Sequence, residues 1–431
     1  MFKSTTASLA VLLATVPGLA LPDTASSSTE VAQEHMQSGT LLTIEEAVKL
    51  ALASDDPYLS QPEEMASSFE ASAVADGQLQ DPKVRLNFAN WPLNSLSYSQ
   101  EPMTQLQLGL SQAFPKGDTL KLRGSKRRAQ AQGQRYLQEL RIREVTLDTR
   151  LTWLDLNYFT GARIKVSESR QAVAELVEVI QAIFATGRQT SQDILRAEME
   201  LSLLDDRLVD IERKASMLRA KLARRIGTRA FEAKIPTALP GLKHPSDLTA
   251  VLALLDTHPA AKMQNAKVEV ADNDVKIAGE QYKPGWAVNV GYGARGGDRS
   301  DFASVGVTMD VPLFTAKRQD KRVLAAKKSR QVSRLSKDTV LLELRKSLQV
   351  SRADWERLEE RVTLYQGVVL ERAKDTSEAT LNSYQSGVSD FPELVRARLA
   401  ELDAELKLLR LKADRMKAQA QLLFLEGEND A

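Results

Sequence analysis

The feature that most constrains the fold of this chain is an internal duplication. Pro57 and Pro82 are separated by the same interval as Pro259 and Pro284, with helix-forming sequence between each pair. Further landmarks recur in the same order in both halves of the chain: an aromatic residue, a glycine, an Arg-Ala pair and a closing glycine. In the first half they are Phe184, Gly187, Arg196, Ala197 and Gly227. In the second half they are Tyr384, Gly387, Arg396, Ala397 and Gly427. Spacing that is kept over so many landmarks predicts two copies of one structural unit.

The N-terminus has the features of a secretory signal. Lys3 precedes an apolar stretch from Ala7 to Val16, and Gly18 to Ala20 supply small residues for cleavage. No later run of eighteen apolar residues occurs, so we expect no transmembrane helix. The predicted boundaries are a signal peptide at 1–20, a flexible linker at 21–40, a first repeat at 41–227, an irregular segment at 228–258, a second repeat at 259–427 and a tail at 428–431.

Each repeat is predicted to run helix, two strands, very long helix, tight turn, long helix. Thr43 and Glu46 form a capping-box pattern at the first helix. About 70 residues without proline then lead to Gly187, enough for roughly 100 Å of helix. Gly187 and Gly387 suit the left-handed ends of helices and mark the helix-turn tips. Between the repeats, Pro236, Pro240, Gly241 and Pro245 predict little regular structure.

The returning helices carry apolar residues at alternating spacings of three and four, which predicts coiled-coil packing. The stripe in the first repeat is Ile194, Ala197, Leu201, Leu204, Leu208, Ile211, Ala215, Leu218 and Leu222. The stripe in the second is Val395, Leu399, Leu402, Leu406, Leu409, Ala413, Met416, Ala420 and Leu423.

Four stretches of about ten residues alternate apolar with polar or small residues, which predicts membrane-crossing β-strands. The residues expected to face lipid are Val84, Leu86, Phe88, Leu106, Leu108, Leu110, Val288, Val290, Val305, Val307 and Met309. An ordinary sheet with one solvated face gives the same alternation. However, the long helices are predicted to bury their apolar stripes against one another, so no amphipathic helix remains to cover the apolar face of the sheet. Four strands cannot close alone in lipid, so several copies must associate. Two copies would give eight strands, which fill their own interior, and three would give twelve, which can leave a channel. The predicted fold class is mainly α with a transmembrane β portion.

In this order, and twice over, these motifs resemble the TolC family of outer-membrane efflux proteins over about residues 41–427. The resemblance rests on Leu42–Ala47, the two hairpins that end at prolines, the aromatic-x-x-Gly turns with their Arg-Ala pairs, and the terminal Leu-x-x-x-x-Gly of each half. It implies a homotrimer in the outer membrane, with a helical tunnel that docks to a periplasmic adaptor and an inner-membrane pump. Residues 100–104 are similar to the branch of heavy-metal resistance pumps, which would make heavy-metal cations the cargo.

The resemblance also implies a periplasmic gate just after the second turn. Glu393 falls where a gate acid is expected, Asp193 is its partner in the first repeat, and Tyr384, Asp390 and Arg196 complete the candidate set. Arg396 stands where the family has a second acid, so an ion pair between Glu393 and Arg396 is an alternative lock. Equally, acids at a helix start are expected on a solvated surface, because they favour the helix dipole.

Composition excludes several function classes. The 58 basic and 57 acidic residues nearly cancel, so no general attraction to nucleic acid is expected. The absence of cysteine excludes disulfides, thiolate sites and a lipid-modified N-terminal cysteine. Residues 291–296 match a dinucleotide fingerprint, but no helix is predicted to follow, so an external hairpin loop is expected there. The three histidines and nine methionines form no cluster, and we expect no metal site, no cofactor and no enzymatic activity.

Three functions remain from the sequence. The leading one is the passive exit duct of a tripartite efflux system. The second is a soluble periplasmic coiled-coil scaffold or adaptor, which would not need four apolar strand faces. The third is the outer-membrane duct of a type I protein secretion system.

Overall fold

The computed structural model describes residues 41–185 and 191–427. The predicted signal peptide, linker and C-terminal tail lie outside these residues, and so does the predicted turn at Gly187. No helix among the described residues combines the length and the apolar character that crossing a bilayer requires.

The first repeat has the predicted order of elements. They are α1 (Ile44–Leu52), α2 (Pro57–Ala75), β1 (Lys83–Ala89), β2 (Gln105–Phe114), α3 (Thr119–Ala185) and α4 (Ser191–Ile226). The predicted cap is present, because the Thr43 hydroxyl accepts a hydrogen bond from the Glu46 amide at 3.2 Å. Helix α3 contains 67 residues and is therefore about 100 Å long, as predicted.

The second repeat follows the same plan. Two short helices, α5 (Arg229–Glu232) and α6 (Leu248–Leu254), lie in the segment between the repeats. The elements of the second repeat are α7 (Pro259–Glu280), β3 (Gly285–Arg295), β4 (Phe302–Asp310), α8 (Gln319–Leu364), a π-helical turn (Tyr365–Val369), α9 (Leu370–Gln385) and α10 (Phe391–Glu426). Gly387, which follows α9, has φ +75°, and its amide donates to the Tyr384 carbonyl at 3.0 Å. The predicted left-handed turn is therefore confirmed at Gly387.

The expectation of little regular structure at 228–258 is wrong for the end of that segment. Helix α6 forms there, with its N-terminus capped by Asp247, whose carboxylate accepts from the Thr249 amide at 3.1 Å. Val251 and Leu255 are buried in a cluster with Leu348 of α8. Helix α5 is also regular, so the irregular part is residues 233–247, where the three prolines lie. The prolines do not prevent a short helix beyond them that tertiary packing stabilises.

The predicted coiled-coil stripes are buried along the long helices, in more than one hydrophobic cluster. Ala197, Leu204 and Ile211 of α4 are buried, and the facing residues of α3 and α10 share the cluster. Those residues are Ala162, Val166, Val173, Val177 and Ile180 of α3 and Phe391, Val395, Leu402 and Leu406 of α10. A second cluster contains Leu222 and Met416 of the stripes, together with Leu42, Ile44 of α1 and Trp153 of α3.

The four strands form one antiparallel sheet in the order β1-β2-β3-β4. Strands β2 and β3 join the two repeats, with Leu108 opposite Leu86 on one side and opposite Tyr292 on the other. Directly opposed residues share a face, so the register puts all eleven predicted apolar residues on one side of the sheet. This apolar face is not covered by any helix among the described residues, and Val305, for example, is 78% exposed.

Candidate functional site

The turn between α9 and α10 brings the predicted gate residues to one end of the helical hairpin. Asp390 caps α10, because its carboxylate accepts from the Glu393 amide at 3.0 Å. Pro392 lies in the first turn, where a missing amide donor costs nothing. The Glu393 carboxylate accepts from the Ser389 hydroxyl at 2.8 Å and remains exposed. Glu393 is therefore an oriented, solvated carboxylate at a helix start.

The alternative lock, an ion pair between Glu393 and Arg396, does not form among the residues that the structure describes. The Arg396 guanidinium instead donates through Nε to the Pro392 carbonyl at 3.2 Å. Since Glu393 is held by Ser389, each side chain is engaged with a nearer neighbour. Both charges therefore remain available to solvent or to another molecule.

Arg196 and Arg396, which are equivalent in the two repeats, line the same cavity between α4 and α10. Its volume is about 280 Å³, and its polar lining also includes Glu200 and Asp390. The buried ring of Phe391 forms part of its apolar wall. Two cations and two carboxylates thus surround one small cavity at the end of the hairpin.

The remaining candidates have structural positions. Tyr384 is half-buried, and its ring contacts that of Phe391 with centroids 6.1 Å apart. Asp193 lies half-buried in the first turn of α4, as Glu393 lies in the first turn of α10. In both places a carboxylate stabilises the helix through its dipole, whether or not it also lines a pore.

Sequence reasoning missed Ser389 and Glu200. Ser389 precedes Glu393 by four residues, but it stands before the helix begins, so helical spacing gives no reason to pair them. Glu200 joins the cavity only because α4 and α10 pack together, and that contact is not local in sequence.

The face of the sheet opposite the apolar one is polar. Across its middle, Arg85 of β1 stands opposite Gly109, Gly109 opposite Gly291, and Gly291 opposite Ser304. A shallow cavity of about 270 Å³ lies on this face, and its polar lining includes Arg85, Asn87, Gln105, Gln107 and Ser304. The glycine-rich motif at 291–296 begins inside β3, so the hairpin interpretation is right and the dinucleotide one is not.

Among the described residues, no group of three or more His, Asp or Glu side chains is arranged to hold a metal ion. His258 is buried, and its Nδ1 accepts from the Ala260 amide at 3.2 Å, which caps α7. Burial, helped by the charge of Arg143, lowers the pKa of His258 to about 4. This histidine therefore has a structural role as a neutral helix cap.

Comparisons agree with the family resemblance. Residues 252–428 match the family model described as outer membrane efflux protein. The fold is similar to VceC, an outer membrane protein of Vibrio cholerae, with a TM-score of 0.76 and 16% identity over 89% of this chain and 96% of that one. It is also similar to the Campylobacter jejuni outer membrane channel CmeC, with a TM-score of 0.76 and 14% identity over 95% of this chain and 94% of that one.

A third similar structure, CusC, gives a TM-score of 0.75 at 14% identity, over 90% of this chain and 94% of that one. No curated protein sequence matches the chain. The likeness of these structures shows the fold, and the family match in the second repeat confirms the resemblance found in the sequence.

Proposed function

We propose that this chain, with an outer membrane efflux protein domain in its second repeat and the fold of outer membrane channels throughout, is the exit duct of an efflux system. The observation that carries the proposal is the four-stranded sheet, which has all eleven predicted apolar side chains on one face and mainly polar or small side chains on the other. Outer membrane efflux proteins are passive channels rather than enzymes.

The sheet has two open edges, β1 and β4, within the described chain. Open edges carry unsatisfied backbone groups, which lipid does not tolerate. Pairing β4 of one copy with β1 of the next would close three sheets into a twelve-stranded barrel, with the apolar face against outer-membrane lipid. The long helices α3, α4, α8, α9 and α10 would then extend the channel as a tunnel into the periplasm.

Channels of this family are trimers that work with periplasmic adaptors and inner-membrane pumps. In this chain the turn at Gly387, together with the predicted turn at Gly187, is the proposed docking point for the adaptor. Val388 is 83% exposed beside Gly387 and offers an apolar contact there. The chain has no native cysteine, so a single Val388→Cys substitution provides a selective cross-linking site.

That substitution tests the coupling to a pump. In cells that produce the whole system, Val388→Cys with a cysteine-reactive cross-linker should yield adducts with a periplasmic adaptor. The matched control is Leu93→Cys. Leu93 is 90% exposed in the β1–β2 loop, at the end of the sheet that is farther from the helices, and its cysteine variant should yield no adduct with the adaptor. Equal labelling patterns from both variants would count against docking at this tip.

The carboxylates at the hairpin end are the proposed gate. Three copies of Glu393 and Asp193 around a narrow mouth would attract cations and hold the mouth through hydrogen bonds. The oriented carboxylate of Glu393 and the shared cavity of Arg196 and Arg396 support this assignment. Tyr384 would support the mouth without lining it, since its ring packs on Phe391.

The cargo is proposed separately from the duct. The similarity of residues 100–104 to the heavy-metal branch makes heavy-metal cations one candidate, and a type I secreted protein is another. Deleting the gene and measuring growth on copper, silver, zinc and cadmium salts, with secreted proteins compared in parallel, separates the two. Added sensitivity to metal alone supports metal efflux, whereas loss of one secreted protein supports secretion.

Negative-stain imaging of the detergent-extracted mature protein tests the duct itself. The expected particles are long three-fold tubes with a detergent belt at one end. Compact particles that stay soluble without detergent would instead support the periplasmic scaffold.

A further inference from the structure

The polar face of the sheet is basic. Within the described strands its ionisable side chains are Lys83 and Arg85 of β1, Arg295 of β3 and Asp310 of β4. Each copy of this face therefore carries three cationic side chains and one carboxylate. If three copies close into the proposed barrel, this face lines the lumen.

Arg85 differs from the other three in its height along the sheet. Asp310 stands at the end of the sheet nearest the helices, opposite Gly285. Lys83, which is opposite Ser111, lies on the helix side of Arg85 and about 7 Å from it along β1. Arg295 stands at the loop end, where its Nε donates to the Ser300 carbonyl at 2.7 Å and its guanidinium lies 4.0 Å from the centre of the Phe302 ring. Arg85 therefore occupies a row at mid-height, with Lys83 in the neighbouring row.

The neighbours of Arg85 leave its side chain free to reach into the lumen. The row continues across Gly109 and Gly291, which have no side chains, to Ser304. Among the described residues no carboxylate lies within 4.0 Å of Arg85, and its side chain is exposed. Asp310 is six residues beyond Ser304 on β4, which is about 20 Å at the rise of a strand.

We propose that Arg85 makes the barrel lumen selective for anions, an inference that rests on the proposed duct. Three copies would form a ring of guanidinium groups at mid-height. Rings of arginine or lysine favour anions in pores, and arginine keeps its charge at any physiological pH. The ring raises the free energy of a bare divalent cation at this height and lowers that of an anionic molecule. It therefore favours anionic cargo over free metal cations.

Ion selectivity in planar bilayers tests the proposal. The mature protein is extracted in detergent and reconstituted, and the reversal potential is measured in a KCl gradient. Arg85→Gln should lower the permeability of chloride relative to potassium several-fold, and Arg85→Lys should leave it unchanged. Asp310→Asn should shift selectivity in the opposite direction, since it removes the carboxylate of the same face.

A second variant covers the case in which Arg85→Gln does not insert. Arg85→Cys introduces the sole cysteine, and positively or negatively charged thiosulfonate reagents then restore or reverse the charge in open pores. The two reagents should shift the reversal potential in opposite directions. Leu86→Cys, the next residue on the apolar face, is the matched control and should not respond.

The outcomes separate the two proposals. Pores whose selectivity is the same in Arg85→Gln and in the original protein, or that ignore both reagents at position 85, overturn the anion ring and leave the duct intact. Failure of the original protein to form any pore overturns the duct, and the ring with it.

Discussion

Asp56 and His258 occupy equivalent positions in the two repeats, each capping a helix that begins with proline. The Asp56 carboxylate accepts from the Tyr58 amide at 2.9 Å, and His258 Nδ1 accepts from the Ala260 amide at 3.2 Å. Beyond the cap they have diverged. Asp56 pairs with Arg225 of α4 at 2.6 Å, whereas the His258 ring packs against Phe424 of α10, with centroids 5.4 Å apart.

The first prediction concerns acid. The folded pKa of His258, about 4, lies below its ordinary value of 6.5, because burial disfavours the charged ring. A group with a depressed folded pKa contributes stability that is complete above its unfolded pKa and is lost as the pH falls. Stability should therefore decline from pH 6.5 towards pH 4, by about 3 kcal/mol in total for a shift of this size.

Thermal melts between pH 8 and pH 4 measure this decline. His258→Asn keeps a capping oxygen but cannot titrate, so its melting temperature should fall less over the same range. Parallel curves for the two proteins would mean that His258 does not become charged on unfolding.

The second prediction concerns the pair of Asp56 and Arg225, whose side chains are only 11% and 12% exposed. The backbone hydrogen bond from Tyr58 and the charge of Arg225 lower the pKa of Asp56. Asp56→Ala removes the cap and leaves a largely buried guanidinium, at a cost of about 3 kcal/mol. Asp56→Asn keeps the cap acceptor, so it should cost less in denaturant unfolding. Equal losses in both variants would mean that the cap contributes little and that the lost ion pair with Arg225 accounts for the destabilisation.

The third prediction tests the orientation of the sheet. Leu108→Arg should impair insertion into the outer membrane, because a charge near the bilayer centre costs about 2–4 kcal/mol on the lipid face of a barrel. Gln107→Arg changes the neighbouring residue on the polar face and should insert normally. The yield of heat-resistant trimer in outer-membrane fractions measures both. If the two yields were reversed, the assignment of the faces would be wrong.

The fourth prediction tests the gate. Glu393→Ala should raise single-channel conductance or cation leak, since it removes three carboxylates from the proposed mouth. Ser389→Ala frees the same carboxylate from its hydrogen bond and should raise conductance less. A Glu393→Ala channel with unchanged conductance would assign Glu393 to the helix dipole alone.

Much of the fold could be predicted because its signals are local or repeated. Thr43 and the proline at the start of α2 mark helix starts through backbone chemistry, and the stripe from Ala197 to Leu222 needs only helical periodicity. Helix α6 could not be predicted, because seven residues between prolines are too short for a periodic signal. Its stability comes from Leu348 and Leu422, which are distant in sequence.

The candidate site was predicted less well for the same reason. The position of Glu393 follows from its distance to Gly387, but its partner Ser389 depends on the path of the turn. The spacing of Glu393 and Arg396 is right for an ion pair on a helix. The Arg396 guanidinium nevertheless donates a hydrogen bond to the Pro392 carbonyl instead. Which of several neighbouring groups a side chain bonds depends on three-dimensional geometry, and the spacing of residues in the sequence does not give that geometry.

The π-helical turn at Tyr365–Val369 gives the long helical run of the second repeat a different geometry from helix α3 of the first repeat, although the two have the same number of residues. Helix α3 and the run from Gln319 to Gln385 both contain 67 residues, but an i→i+5 turn adds a residue without the full rise. The later residues are thereby rotated by about 100° and retracted by about 1.5 Å relative to an unbroken helix. Phe184 is exposed, while its counterpart Tyr384 contacts the ring of Phe391. In a trimer the six hairpin ends would alternate between two chemically different surfaces, so a partner that binds all six must recognise two kinds of contact.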